Sequence, residues 1–293
     1  MLGITMVNIR LLRESDRPDV LEIARHTWDG YDYIPFFFDS WFKDESSHPV
    51  GIEFDGHIVA LANLRVIDDG QTGWMEALRV HPNHRGKGLA VALTQYVVQV
   101  AKNIPVNRVR YTTAIGNATS LHLGETVGMT RKFDLAIHWQ DNPAEISWHF
   151  SQRPMLEVTA NDVYDDLIAA ELLPYDTIIY DWKGIDATLD GLKKINSIAQ
   201  FWVQKHEEET NSFSLGFARE DKSGSQWIFT IYAADTTGFL DHLSHHIHKA
   251  SELKCTSIFV TYETRYTDVL SSLDWVKIDE DEDWALTLLE LVL

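Results

Sequence analysis

Apolar and polar residues alternate through Val7-Asn-Ile-Arg-Leu-Leu12, which predicts an opening strand. Ser15 as a cap and Pro18 in a first turn predict a helix that continues through Val20–Trp28. Gly30 to Pro35 interrupts it, and an aromatic-rich segment, Phe36–Phe42, follows. Val50–Phe54 and His57–Val66 read as a hairpin about Asp55-Gly56, and Asp68-Asp-Gly70 makes the turn before a strand from Trp74. Leu89, Leu93, Tyr96, Val97 and Val100 then recur at helical spacing, ending near Asn103 and Pro105. Arg108–Ile115 returns to a strand pattern. A strand, turn, helix and strand in this order predict two parallel neighbours joined by a right-handed crossover.

The same order recurs near the C-terminus. Trp227–Ala233 reads as a strand, Gly238–Ala250 as a helix, Thr256–Thr261 as a strand, and Tyr266–Leu273 and Trp284–Leu291 as a short helix and a last strand. The pattern as a whole predicts a mixed α/β fold of two domains, residues 1–150 and 151–293.

The two halves differ in the turn between strand and helix. In Leu78-Arg-Val-His-Pro-Asn-His-Arg-Gly-Lys-Gly-Leu-Ala90, Gly86 and Gly88 let successive N–H groups converge on an anion at a helix N-terminus, and Arg85 and Lys87 add positive charge. The turn lacks the Gly-Lys-Ser/Thr ending of a P-loop, and the chain has no Gly-x-Gly-x-x-Gly. Ala234-Asp-Thr-Thr-Gly238 in the second half has neither paired glycines nor cations.

On these residues the chain resembles the Gcn5-related N-acetyltransferase (GNAT) superfamily. Asn83 stands at the first place of its Gln/Arg-x-x-Gly-x-Gly/Ala motif, and Arg85-Gly86-Lys87-Gly88 match the rest. Gly30–Pro35 with Trp41, Val66–Gly70 and Thr177–Trp182 look like the histidine N-acetyltransferase group within it. The resemblance implies a central mixed, splayed sheet and acetyl-coenzyme A (acetyl-CoA) as the donor; because Ala234–Gly238 replaces the phosphate turn, the second half is expected to be a degenerate GNAT-like domain, with one acetyl-CoA per chain. The resemblance implies cofactor contacts from Leu78, Arg79 and Val80 on the splayed strand, from Arg85, Gly86, Lys87, Gly88, Leu89 and Ala90 at the turn, and from Asn117.

Acetyl transfer to an amine needs a base, a held carbonyl and a proton for the departing thiolate. Glu76 is the expected base, because strand alternation puts it on one face with Leu78. Orienting the ammonium or pairing with a cation are its other roles. The helix motif Asn-x-x-Ala-x-x-Leu-Tyr-x-x-x-Gly-Phe aligns with Asn117–Met129, but Gly124 stands where the family has its tyrosine acid. His122, Tyr33, Tyr111 or a water are the alternatives. Tyr31, Asp32 and Tyr33 are the expected acceptor contacts, with an ammonium against a carboxylate and an aromatic face. Arg79 or Arg65 is a candidate for a substrate carboxylate.

Net charge is −19, with 11 basic and 26 acidic residues in 151–293, which disfavours nucleic-acid partners and suits a cationic or zwitterionic acceptor. No apolar run reaches membrane-spanning length, the start lacks the regions of a signal peptide, and the single cysteine, Cys255, excludes an intrachain disulfide. A cytoplasmic enzyme is expected. His242 and His246 have the i, i+4 spacing of a metal pair but no Glu between them and no third ligand, so no metal is expected. The reading is an enzyme that acetylates a small-molecule amine, foremost the α-amine of a free amino acid such as histidine. Peptide or protein N-acetylation and a non-catalytic CoA-sensing scaffold are the alternatives.

Overall fold

A computed structural model describes residues 8–27, 30, 32–147, 154–207, 209–221, 224–277 and 284–293. By internal contact the chain forms two units. One holds the described residues up to Tyr111 with Asn117–Lys132 and Leu288–Leu293; the other holds Thr112–Gly116 and Phe133–Thr287. The chain therefore returns to its first unit for its last six residues, a division that a single cut in sequence does not express.

In the first unit the order is β1 (Asn8–Leu11), α1 (Arg17–Arg25), α2 (Ile34–Trp41), β2 (Ser47–Phe54), β3 (His57–Ile67), β4 (Thr72–Val80), α3 (Leu89–Lys102), β5 (Arg108–Ala114) and α4 (Ala118–Thr126). The second continues with β6 (Thr130–Asp141), β7 (Leu156–Val158), α5 (Ala160–Ala169), β8 (Thr177–Tyr180), β9 (Lys183–Asp186), α6 (Leu189–Asn196) and β10 (Gln200–His206). It ends with β11 (Glu209–Asp221), β12 (Gly224–Ala233), α7 (Thr236–Glu252), β13 (Ser257–Glu263), α8 (Thr267–Ser271) and β14 (Ala285–Val292).

The first unit's strands lie in the order β1-β2-β3-β4-β5. β1 to β4 are antiparallel, and β4 and β5 are parallel as the crossover predicts. Asp55 and Gly56 both have positive φ, at 50° and 81°, the conformation a tight hairpin between twisted strands requires. Leu93 and Val97 of α3 are fully buried and pack with Val50, Ala60, Leu64 and Val109 in one core, against which Tyr96 and Val100 lie half-buried. Leu289 joins the same core, and the Leu293 N–H donates to the Asn107 carbonyl at 2.9 Å. On the sheet's other face Val20, Ile23, Phe38 and Trp41 from α1 and α2 meet Leu61 and Ala77.

The start of α1 differs from expectation. Ser15 lies in a 3-10 turn, Glu14–Asp16, and makes no cap; Asp16 precedes the helix, its carboxylate held by Arg10 at 2.7 Å and by the Arg13 N–H at 2.7 Å. A paired carboxylate was available to that turn, and sequence spacing does not show it.

The second unit orders its strands β6-β13-β12-β11-β10-β7. β12 and β13 are parallel neighbours joined through α7, so the C-terminal echo is a real repeat of β4–α3–β5. Its turn is built differently. Asp235 caps α7, its carboxylate accepting from the Gly238 N–H at 2.7 Å, so a negative side chain stands where the first unit's turn would receive an anion.

His242 and His246 of α7 serve the fold. Trp227 Nε1 donates to His246 Nδ1 at 3.0 Å, and since an indole N–H only donates, the His246 proton sits on Nε2, which donates to Ser214 Oγ at 2.8 Å. Ser214 Oγ then donates to His242 Nδ1 at 2.6 Å, and His242 Nε2 to Ser212 Oγ at 3.0 Å. All four ring nitrogens are used. Burial pushes His242 down to about 3 and His245 down to about 4, and holds His246 well below the ordinary imidazole value. Unfolded, these rings take a proton near pH 6.5, and folded they do not. The unfolded state therefore binds more protons below that value, and stability falls as pH drops from about 6.5 toward 4. A urea midpoint that decreases steadily from about pH 7 to pH 5 is the expected result; a flat midpoint would contradict the neutral network.

Candidate active site

At the phosphate turn, Pro82–His84 forms a 3-10 turn and Arg85 is extended. Gly86 and Gly88 follow in the left-handed region, at φ 73° and 77°. A Cβ at either would meet nothing within 4 Å, so backbone conformation, not crowding, calls for glycine here. Gly88 is the N-cap of α3 and supplies no side-chain cap. The first helical bond runs from the Ala92 N–H to the Gly88 carbonyl, so the N–H groups of Leu89 and Ala90 come before helical pairing begins. Arg85 and Lys87 are exposed and fold onto the turn, donating to the Val80 carbonyl at 3.2 Å and the Asn83 carbonyl at 2.9 Å. Cationic side chains and unpaired N–H groups at a helix start form an anion cradle. Leu89 is buried and anchors the helix beneath it.

The sheet opens just before this turn. β4 and β5 pair only at Thr72↔Arg108, Gly73↔Val109 and Trp74↔Arg110, whereas β4 runs on to Val80. This is the splay that the resemblance implies. Two main-chain carbonyls beyond it are met by guanidinium groups: Leu78 by Arg79 Nη1 at 3.0 Å and Val80 by Arg85.

A bulge interrupts the same stretch of β4. Asn63 pairs with Glu76 and Leu61 with Arg79, so Ala77 and Leu78 together oppose Ala62, and Ala77 takes φ 62°. The extra residue inverts the alternation beyond it. Glu76 shares a face with Arg79, not with Leu78, which packs instead against the core under α3. Simple strand alternation therefore misplaced Leu78 relative to Glu76.

On that face the expected acceptor residues meet. Glu76 Oε1 accepts from Asn63 Nδ2 at 2.8 Å and from Arg65 Nη2 and Nε at 3.2 and 3.3 Å, and Arg65 also donates to Asp44 at 2.8 Å. Asp32 is 1% exposed and accepts from Arg79 at 2.9 and 3.3 Å and from the Ile34 N–H at 3.1 Å. The Arg79 guanidinium lies 5.5 Å from the centroid of the Tyr33 ring. The Ala77 N–H, at the bulge, hydrogen-bonds to the Tyr33 hydroxyl. Tyr33 is 38% exposed as a whole, but desolvation around its hydroxyl pushes that group up to about 12, Arg79 opposing the rise and the Glu76 and Asp32 carboxylates adding to it. Tyr33 is therefore a neutral phenol over the whole physiological range.

Asn63 is the functional candidate that sequence reasoning missed. It is fully buried, it orients Glu76, and its Oδ1 meets no hydrogen-bond donor among the described residues. Its one signal in sequence is a polar residue inside the apolar run Ile58–Leu64.

Other expected residues fall elsewhere. Tyr31 lies outside the described residues. His122 is exposed on α4, with Glu125 at 4.0 Å, and has no described contact with Glu76 or Tyr33. Asn117 caps α4, accepting from the Ser120 N–H at 3.0 Å. Tyr111 donates to the Ser120 carbonyl at 2.6 Å, and burial raises its hydroxyl above the ordinary range. A Cβ at Gly124 would come within 2.6 Å of that hydroxyl and 2.7 Å of Leu289 Cδ2, which explains why no tyrosine stands there.

Residues 10–129 match the Acetyltransferase (GNAT) family. The chain is 26% identical to a histidine N-acetyltransferase of Xenopus tropicalis over 193 residues, 60% of this chain and 59% of the relative. It is 27% identical to one of Oreochromis niloticus over 190 residues, 58% of this chain and 56% of the relative. The matched regions thus cover under three-fifths of these curated relatives. The solved structure of a GCN5-related N-acetyltransferase from Sphaerobacter thermophilus superposes with a TM-score of 0.62 at 11% identity, covering 100% of this chain and 97% of that one. Glycine turn, splayed strands and sequence likeness agree over residues 10–129, the stretch of the chain that matches the Acetyltransferase (GNAT) family.

Proposed function

We propose that this chain transfers an acetyl group from acetyl-CoA to the α-amine of a free amino acid, histidine foremost, by direct attack. The observation that carries the reading is the convergence of Glu76, Asn63 and Tyr33 at the bulge of β4, on the strand that leads from the splay into the glycine turn. The relatives named histidine N-acetyltransferase support the acceptor class.

The residues present suit acetyl-CoA. Gly86, Lys87, Gly88, Leu89 and Ala90 with Arg85 would hold its pyrophosphate, and the edge of β4 from Leu78 to Val80 would meet the pantetheine arm. When bound, it supplies an activated carbonyl and leaves as a thiol. Glu76 removes the acceptor ammonium's proton, directly or through a water, and is held for that task by Asn63 and Arg65. Tyr33 provides a neutral hydroxyl as donor. The sole cysteine, Cys255, is buried in the second unit, so this domain offers no thiol for a covalent acetyl intermediate.

Gly86→Val tests the cofactor half. A β-branched residue at φ 73° is strained by about 1–2 kcal/mol and displaces the turn's N–H groups. Wild-type protein should gain about 2.7 kcal/mol of stability at acetyl-CoA one hundredfold above its Kd. The variant should lose most of that gain, and full retention would contradict the turn as the binding site. Thiol release from acetyl-CoA, screened across free amino acids, amines and peptides, tests the function. Turnover highest with free histidine is expected. Turnover confined to peptides would move the chain to the peptide class, and background with every acceptor despite cofactor binding would leave a CoA-binding scaffold.

A further inference from the structure

Beside the glycine turn, on the first unit, a cleft of about 360 Å³ is lined by Asp19, Glu22, His57, His81 and His84 among others. Glu22 stands on α1 and His26, four residues on, is the residue that ends it, with His26 Nε2 3.1 Å from Glu22 Oε1. His81 reaches the same place from the end of β4, its ring 5.4 Å from that of His26. One ligand atom from each of the three lies within 4.8 Å of the others, the one such group among the described residues. We propose that Glu22, His26 and His81 form a binding site for a divalent first-row transition ion, with zinc the best match.

Two imidazoles and one carboxylate suit zinc, copper or nickel; magnesium and calcium call for more oxygen ligands than the one carboxylate of this group supplies. A zinc ion holds its ligands at about 2.0–2.2 Å, so the three must draw somewhat closer than they stand. The His26 and Glu22 side chains are each more than a third exposed, so their movement toward an ion meets no core packing. Binding displaces three contacts, the first being the His26–Glu22 hydrogen bond itself, which gives way as both groups turn to the ion. Arg25, itself exposed, now donates to Glu22 at 2.6 Å, and the Asn83 N–H donates to His81 Nδ1 at 3.3 Å, a long bond that is readily given up. Three protein ligands leave a fourth position open to water or a small ligand from the cleft. The ion would join α1 to the segment leading into Gly86. This places the i, i+4 metal spacing at the C-terminal end of α1, in contrast to α7, where the ring nitrogens of His242 and His246 are already hydrogen-bonded in the core.

Calorimetric titration of zinc chloride into the full-length, chelator-treated protein tests the site, with cobalt(II) absorption as a second readout and magnesium as control. One zinc per chain is expected, with no heat from magnesium and a cobalt spectrum typical of nitrogen and oxygen ligands. His26→Ala, His81→Ala and Glu22→Gln should each weaken zinc binding by at least about tenfold, as loss even of supporting residues does at metal sites. His26 is exposed, so its variant keeps the fold and decides the matter if His81→Ala is unstable. Absence of zinc binding by the wild type, or undiminished affinity in His26→Ala, overturns the proposal.

Discussion

Glu76→Gln is expected to lower kcat at neutral pH by about 100-fold or more, the usual contribution of a positioned general base. The change keeps size and shape, and a glutamine oxygen can still accept from Asn63, which bonds Glu76 at 2.8 Å. Arg65 retains Asp44 at 2.8 Å as its charge partner, so the fold should survive. What disappears is the capacity to take a proton. The deficit should shrink as pH rises, because a larger fraction of the acceptor amine then arrives already neutral. KM for acetyl-CoA should change little, since Glu76 faces away from the α3 side of the sheet. Turnover equal to wild type at neutral pH and saturating acceptor would remove Glu76 from the mechanism and leave it as a structural partner of Arg65.

Glu290→Ala is expected to destabilise the protein by about 3–5 kcal/mol, which for a chain of this size lowers Tm by roughly 10 °C. Arg110 is 1% exposed, and its Nη2 and Nε both lie 2.7 Å from the Glu290 carboxylate, while Lys132 approaches the other oxygen at 3.2 Å. Removing the carboxylate strips a buried guanidinium of that countercharge. The double variant Arg110→Met with Glu290→Leu, which replaces the pair by apolar groups, should recover most of the loss. The position matters for function as well. Arg110 is the last β5 residue paired with β4, so the pair fixes β5 where the sheet begins to open. A Glu290→Ala protein within about 1 kcal/mol of wild type would show that the pair adds little.

How much of this is legible in sequence depends on how local its cause is. The hairpin at Asp55-Gly56, the glycines at 86 and 88 and the helical face of Leu93 and Val97 follow from residue type and spacing within a few positions, and each stands as expected. The bulge at Ala77 does not, because no glycine marks it and an alanine is held at φ 62° by tertiary pairing with β3. That one added residue decides which side chains share a face with Glu76. Asp32 and Arg79 are 47 residues apart, and Arg110 and Glu290 are 180 apart; no spacing rule joins them. The return of Leu288–Leu293 to the first unit is equally non-local. Gly124 reads in sequence as a missing acid, and only the Tyr111 hydroxyl packed against it shows why a side chain is excluded there.

The central claim is transfer of one acetyl group to the α-amine of a free amino acid. Incubation of the purified protein with acetyl-CoA and free histidine, followed by mass spectrometry and NMR of the product, tests it most directly. The predicted result is a singly acetylated histidine substituted on the α-nitrogen, formed with wild-type protein and at least about 100-fold more slowly with Glu76→Gln. Acetylation on the imidazole, or no product from any free amino acid under conditions where peptide N-termini are acetylated, would contradict it.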